Sequence, residues 1–245
     1  SVSIIDSNFF VNRDSVEKMC DLMLQRNLAI KWGNVNGRTA TLAKYGDNLW
    51  VKMAKSGLSS ILTGAESGDQ EALDFMQKDI KKEDVLELAR LCNKHNIKII
   101  ASYLSGLPWS NDPKICQEKV DHEISSTLAQ IKELYKIHKR IRFMIFLYLP
   151  YPCTTLFELA EKLGVKLPKS LEEWSTFCLA AEDARKLKVR QQWIRDDQAI
   201  LLHMLTSYIF FFLDPDSYDV YINRGIKNPI VRFFASVMFF IFKKI

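Results

Sequence analysis

The sequence predicts an α/β protein with a parallel sheet, followed by a helical C-terminal stretch. Three observations predict it. Short apolar runs alternate with amphipathic segments of helical length through the first 165 residues. Polar residues gather just after the apolar runs, where parallel α/β folds place ligand groups. From about Pro168 the alternation gives way to longer apolar runs.

The elements follow in order. Val2-Ser3-Ile4-Ile5 reads as a buried strand ending at Asp6-Ser7-Asn8. Asp14 is placed to cap a helix from Ser15 to Arg26, with Val16, Met19, Cys20 and Met23 on one face. Leu28–Trp32 is a second strand, followed by the turn-rich Gly33-Asn34-Val35-Asn36-Gly37-Arg38. A helix near Asp47–Ser56 stops at Gly57. Ser59–Thr63 is the third strand, followed by Glu66 and a short helix. A helix over Glu83–His95 leads to a fourth strand, Ile97–Tyr103, which ends in Ser105-Gly106-Leu107-Pro108. A long helix covers Asp112–His138, and Arg142–Leu147 is the fifth strand, ending in Pro150-Tyr151-Pro152-Cys153-Thr154. Leu156–Leu163 is a helix stopped by Gly164. Five consecutive strand–helix units imply right-handed parallel crossovers, and both an open doubly wound sheet and a barrel-like sheet fit.

Beyond Pro168, Leu171-Glu172-Glu173-Trp174 opens a helical stretch. Ala199–Leu213 and Ile230–Phe242 are strongly apolar, yet each is shorter than a membrane-spanning helix requires. They read either as a helical extension packed on the sheet or as an interfacial helix with Arg232, Lys243 and Lys244 near lipid headgroups.

Composition excludes little. Forty-eight per cent hydrophobic and 26% charged residues describe a globular chain of 245 residues, and the net charge of +5 is mild. No nucleic-acid partner is expected. Cys20, Cys92, Cys116, Cys153 and Cys178 are scattered without metal-ligand spacing, and their odd number suggests a reducing, cytoplasmic setting. His95, His122, His138 and His203 show no ligand spacing either. The start at Ser1, inside a strand pattern, reads as a cut within a longer protein.

The densest local signal is Gly64-Ala65-Glu66-Ser67-Gly68, with Lys78 twelve residues after Glu66. A carboxylate between small residues at a strand end, trailed by a cation, suits a ligand carrying hydroxyls and a carboxylate. Asp6, Ser7, Asn8, Arg38, Ser67, Ser105 and Tyr151 stand at the other strand ends or beside them.

These segments resemble the radical S-adenosylmethionine (SAM) superfamily, in particular its members with a cobalamin-binding domain. The resemblance spans roughly residues 1–177 and rests on five matches in order. They are Asp6-Ser7-Asn8-Phe9, Trp32 with Arg38, the Gly-x-Glu-Ser-Gly run with Lys78, Gly106-Leu107-Pro108, and Pro150-Tyr151-Pro152-Cys153-Thr154. It implies a partial (β/α)6 TIM-like barrel lacking its first βα unit, with a core over 1–167 and a helical extension over 168–245. That missing unit carries the family's three-cysteine loop, so the [4Fe-4S] cluster ligands are expected outside this chain, and cobalamin in an upstream domain. Glu66 is expected on the SAM ribose hydroxyls and Lys78 on the SAM carboxylate. Arg38 is expected on that carboxylate or a substrate, and Asp6, Ser7 and Asn8 by the amino group; Ser67 completes the cofactor-binding set. The full protein is expected to generate a 5′-deoxyadenosyl radical for methyl transfer or carbon-skeleton modification, the fragment alone being inactive.

Alternatives are a methylthiotransferase-like enzyme without cobalamin, a non-catalytic barrel scaffold, and an unrelated aldolase-type barrel. Two departures stand out. Trp109-Ser110-Asn111 replaces the family's Gly-Glu-Thr, so the loop lacks its acid and Trp109 is placed to shield adenine or wall the substrate cavity. Cys153 replaces a glycine, as a catalytic thiol or a tolerated change. The apolar C-terminal runs permit a small-molecule or lipid-like substrate and peripheral membrane contact.

Overall fold

The computed structural model describes residues 1–176, 191–208 and 227–242. Every strand pair is parallel, in the orders β1-β2 and β3-β4-β5-β6, so spatial order follows chain order. The strands are β1 (Val2–Ser3), β2 (Trp32–Gly33), β3 (Val35–Asn36), β4 (Ser60–Glu66), β5 (Lys98–Ser105) and β6 (Ile141–Leu147). A bridge between Trp32 and Leu58 joins the two sheets beside β4.

The central strands β4, β5 and β6 follow the reading closely. The first two strand positions do not. β1 is two residues long and exposed, with Ile5 fully open, rather than a buried strand. It pairs with β2 alone, so its Val2 side chain stays half uncovered. The second strand is displaced: Leu28 and Ile30 are exposed, and pairing starts only at Trp32, the last residue of the expected strand, and continues through Gly33, Val35 and Asn36 in the segment expected to turn. Asn34 interrupts that strand with φ of 50°, and its backbone N–H donates to Ser60 Oγ at 2.9 Å. A polar, glycine-bearing stretch thus enters the sheet because β4 supplies its partners.

The helices are α1 (Arg13–Gln25), α2 (Thr39–Ala43), α3 (Asp47–Lys55), α4 (Gln70–Phe75), α5 (Lys82–Lys94), α6 (Pro113–Ile137), α7 (Thr155–Lys162), α8 (Leu171–Thr176), α9 (Asp196–Tyr208) and α10 (Pro229–Phe242). α1 begins two residues earlier than expected because Asn12, not Asp14, caps it: Asn12 Oδ1 accepts from Ser15 N at 3.0 Å. Asp112 caps α6 through Lys114 N, and Pro113 takes the first position, where a missing N–H costs nothing. α2 was not foreseen; five residues are too few to show a helical period.

The two faces of the main sheet differ. Ile61, Ile99, Ala101, Tyr103, Phe143 and Ile145 face one way and are buried with residues of α5 and α6, including Leu88, Cys92, Ile131 and Leu134. Their alternates Leu62, Gly64, Glu66, Ile100, Ser102, Met144 and Phe146 are only half-buried. One face therefore carries the core and the other stands partly open.

The segment from Gln191 folds back onto the strand ends. Trp193 is fully buried and its Nε1 donates to Gly106 O at 3.2 Å, while the Gln191 amide donates to Tyr148 O. Arg195 makes a two-pronged pair with Asp121 of α6 at 3.0 and 3.1 Å. α9 and α10 cover most of the two apolar runs; residues 209–213, Lys243 and Lys244 lie outside the described residues, as does Cys178. No helix among the described residues is long and apolar enough to cross a membrane. On α10, Ile230, Val231 and Phe233 are exposed.

Candidate functional site

A cavity of about 430 Å³ lies against the half-open face of the sheet. Its wall includes Asn36 of β3, Leu62 and Gly64 of β4, Ile100 and Ser102 of β5, and Met144 and Phe146 of β6. The two-residue period of the strands thus delivers alternate side chains to one space. At its rim stand Ser7, Arg38, Glu66 and Lys78.

Glu66 ends β4 in a strained backbone. Its φ is +63°, and Ser67 N donates to Ala65 O at 2.8 Å, closing a tight three-residue turn around it. The ladder to β5 shifts register between Gly64 and Glu66. The turn sends the Glu66 side chain back over Gly64, where a Cβ would stand 2.9 Å from Glu66 Cδ and closer still to Oε1. Gly68 serves the other side: a Cβ there would stand 2.7 Å from Thr127 Cα, and Gly68 N donates to Thr127 Oγ1 at 3.2 Å. The two glycines therefore do different work. One seats the carboxylate and the other lets β4 approach the backbone of α6.

Lys78 Nζ lies 3.3 Å from Glu66 Oε1, with both side chains partly exposed. Lys78 N donates to Leu73 O, which folds the chain after α4 back toward the strand end. Arg38 is exposed and opens α2. Beside it, Thr39 Oγ1 lies 2.8 Å from Thr63 Oγ1 and donates to Gly64 O, fastening this loop to β4.

The remaining candidates are placed as follows. Ser7 lines the cavity. Asp6 accepts from Asn8 N at 2.7 Å, and Asp6 O accepts from Asn36 Nδ2 at 3.1 Å, so the loop after β1 is tied to β3. Asn8 Oδ1 is buried without a hydrogen-bond partner, and neither Asp6 nor Asn8 lines the cavity. Ser67 is not brought to the cavity. It is fully buried, and its hydroxyl accepts from Asp69 N at 3.1 Å. Ser105 is likewise buried, and Tyr151 belongs to a second cavity.

That second cavity, about 820 Å³, lies between the end of α4, the end of β6 and the start of α7. Lys78 and Phe146 line both cavities. Cys153 lines the second one with φ of +66°, a conformation that glycine adopts more readily.

Glu123 was not foreseen. It lies on α6, fully buried, and its carboxylate accepts from Ser105 Oγ at 3.1 Å, Gly106 N at 2.8 Å, Leu107 N at 3.4 Å and Trp109 Nε1. Burial pushes its pKa up to about 7, while these donors oppose the rise. The loop over Ser105–Asn111, which carries no acid of its own, thus receives one from the helix behind it. Trp109 accordingly does not wall either cavity: it stacks on Phe75 at 4.6 Å and points its N–H at Glu123. A sequence signal existed, since Glu123 falls on the stripe of Cys116, Val120, Thr127 and Ile131.

Among the described residues, no group of three or more His, Cys, Asp or Glu side chains is arranged to hold a metal ion. Cys20, Cys92 and Cys116 are buried and Cys153 is exposed, all as free thiols.

A parallel α/β sheet with a polar rim at its strand ends resembles the radical SAM fold, and comparison bears the resemblance out. The radical SAM methyltransferase TsrM of Kitasatospora setae, solved with tryptophan substrate and a SAM analogue, matches with a TM-score of 0.50 at 17% identity over 68% of this chain and 31% of its own. TsrM has also been solved with cobalamin and a [4Fe-4S] cluster bound. In sequence, an uncharacterized methyltransferase of Pyrococcus horikoshii is 22% identical over 94% of this chain and 45% of its own length. The anaerobic magnesium-protoporphyrin IX monomethyl ester cyclase of Rubrivivax gelatinosus is 23% identical over 66% of this chain and 27% of its own. The chain thus spans less than half the length of these relatives. No protein-family model matches it.

Proposed function

We propose that the chain is the SAM-binding part of a radical SAM enzyme, with a partial (β/α)6 barrel core over 1–167 and a helical extension over 168–245. The observation that carries this reading is the Glu66–Lys78 pair at the rim of the cavity on the sheet's open face. Strand order that follows chain order supports the barrel over a doubly wound sheet, which reverses at a switch point.

The residues present fit SAM. Glu66, an acceptor-only carboxylate held over Gly64, binds the two adjacent ribose hydroxyls. Lys78 swings between Glu66 and the SAM carboxylate, with Arg38 on that carboxylate or on a substrate. Ser7, which lines the cavity, lies toward the SAM amino group, with Asp6 and Asn8 in the same loop behind it. Ser67 closes the Glu66 turn through its backbone N–H on Ala65 O, while its hydroxyl accepts from Asp69 N at the start of α4. The described residues do not fit a [4Fe-4S] cluster, whose ligands must come from elsewhere. SAM bound beside such a cluster would supply the radical chemistry, serving methyl transfer or carbon-skeleton modification; cobalamin use rests on the TsrM likeness. What this chain contributes is binding, orientation and exclusion of water.

The setting is cytoplasmic, which the free thiols support, with the exposed apolar side chains of α10 touching membrane surfaces. Flotation with anionic liposomes tests the latter, and no association at low salt removes it. The central test is SAM titration of the full-length, cluster-reconstituted protein. Glu66→Ala should weaken binding about tenfold or more. Unchanged affinity refutes the site, and absence of SAM binding in the unaltered protein leaves a non-catalytic scaffold.

A further inference from the structure

One side chain organises the loop after β5 from behind. Glu123 of α6 is fully buried, and each of its two carboxylate oxygens accepts twice. Oε2 accepts from Ser105 Oγ at 3.1 Å and Gly106 N at 2.8 Å, and Oε1 from Leu107 N at 3.4 Å and Trp109 Nε1. A side-chain amide has one acceptor oxygen and could not meet N–H donors on both sides. Two of the residues held this way, Leu107 and Trp109, are those on which α4 rests. Leu107 is buried in one apolar cluster with Ala72 of α4, and Phe75, Met76 and Trp109 pack against that cluster. The rings of Trp109 and Phe75 stack with centroids 4.6 Å apart. Lys119 of α6 lies 5.4 Å from the Trp109 ring centre and pairs with Glu71 of α4 at 2.5 and 2.6 Å.

A helix of six residues has little stability of its own, so these contacts set where α4 lies. The end of α4 carries the turn that bears Lys78. Met76 N donates to Ala72 O, Gln77 N to Asp74 O and Lys78 N to Leu73 O, which ties Lys78 to Phe75 in one hydrogen-bonded unit. Lys78 Nζ in turn stands 3.3 Å from Glu66 Oε1. We propose that Glu123 is a positioning residue for the first cavity: through Trp109 and Phe75 it fixes α4, and so holds Lys78 at Glu66. Glu123 itself lines neither cavity. The proposal deepens the SAM reading and rests on it only for what Lys78 binds; where Lys78 stands is independent of SAM.

Two measurements on the full-length, cluster-reconstituted protein test it. Trp109→Phe removes the N–H and keeps a ring against Phe75, and Glu123→Gln breaks the same bond from its other end. The first measurement, without SAM, is the rate at which N-acetoxysuccinimide acetylates Lys78 at pH 8, read by peptide mass spectrometry. Lys94, paired with Asp47, is the internal control. Pairing with a carboxylate keeps an amine protonated and unreactive, so each variant should raise the Lys78 rate about threefold and leave Lys94 unchanged. The second measurement is SAM titration. Trp109→Phe should weaken SAM binding about threefold to tenfold in the parent, and by less than about twofold when Lys78→Met is already present. A general loosening of the fold would weaken binding alike in both backgrounds. A Lys78 rate unmoved in either variant that keeps its thermal transition overturns the proposal. So does a loss of SAM affinity that is undiminished by Lys78→Met. Absence of SAM binding in the unaltered protein, with the Lys78 rate raised by the variants, would refute the SAM reading and leave the positioning role standing.

Discussion

The carboxylate of Glu66 occupies the space that a side chain at residue 64 would need. Gly64→Ala should therefore displace the far end of a flexible side chain rather than break the strand. The expected result is SAM affinity lowered about tenfold with little change in melting temperature. An equal loss of stability and binding would mean that Gly64 serves the strand and not the carboxylate.

Glu66 holds a backbone conformation that glycine adopts more easily, with φ of +63°. Glu66→Gly should leave stability unchanged or raise it by up to about 1 kcal/mol, while SAM binding is lost. A residue retained for structure would show the opposite pattern, with Glu66→Gly lowering the urea midpoint.

Gly68 faces backbone, not a movable side chain: a Cβ there would crowd Ser126 and Thr127 of α6. Gly68→Ala should cost about 1–3 kcal/mol through overpacking. Calorimetry checks it, since each kcal/mol lowers the melting temperature of a chain this size by about 2–4 °C. No shift would mean that α6 yields freely at this point.

Glu123 makes stability depend on pH with a definite sign. Burial raises its folded pKa from the ordinary 4.5 to about 7, so the folded protein holds this proton more tightly than the unfolded chain. Its contribution is fullest below pH 4.5 and is lost as pH rises toward 7, by up to about 3 kcal/mol. Glu123→Gln should remove this component from urea unfolding between pH 4.5 and 8. It should also destabilise, because its amide NH₂ must face donors already aimed at the carboxylate. A variant with the parent's pH profile would clear Glu123 of the effect.

The central strands were legible because each is an apolar run with clear ends, and α5 and α6 because their periods are long. The nearness of Lys78 to Glu66 was legible through spacing and small neighbours. β2 and β3 were not, because Gly33, Asn34 and Asn36 have turn chemistry, and only pairing with β4 makes that segment a strand. The N-terminus of α1 was misplaced because Asn12 and Asp14 are both good caps, and tertiary geometry chose between them. Glu123 was hidden among the charges of a long helix. Its importance comes from the Ser105–Trp109 loop folding onto it across eighteen residues of chain at the widest. Ser67 shows the reverse: motif spacing placed it with the ligand groups, while the tight turn at Glu66 rotates it inward.

Lys78 and Phe146 stand in the wall between the two cavities and belong to both. A molecule that draws the Lys78 ammonium toward one side removes it from the other. Occupancy on either side then alters affinity on the other by the same factor, whichever fills first. The partition is thus a balance with one movable cation as its beam, and the sign of the coupling is set by whether the two occupants compete for that charge or share it.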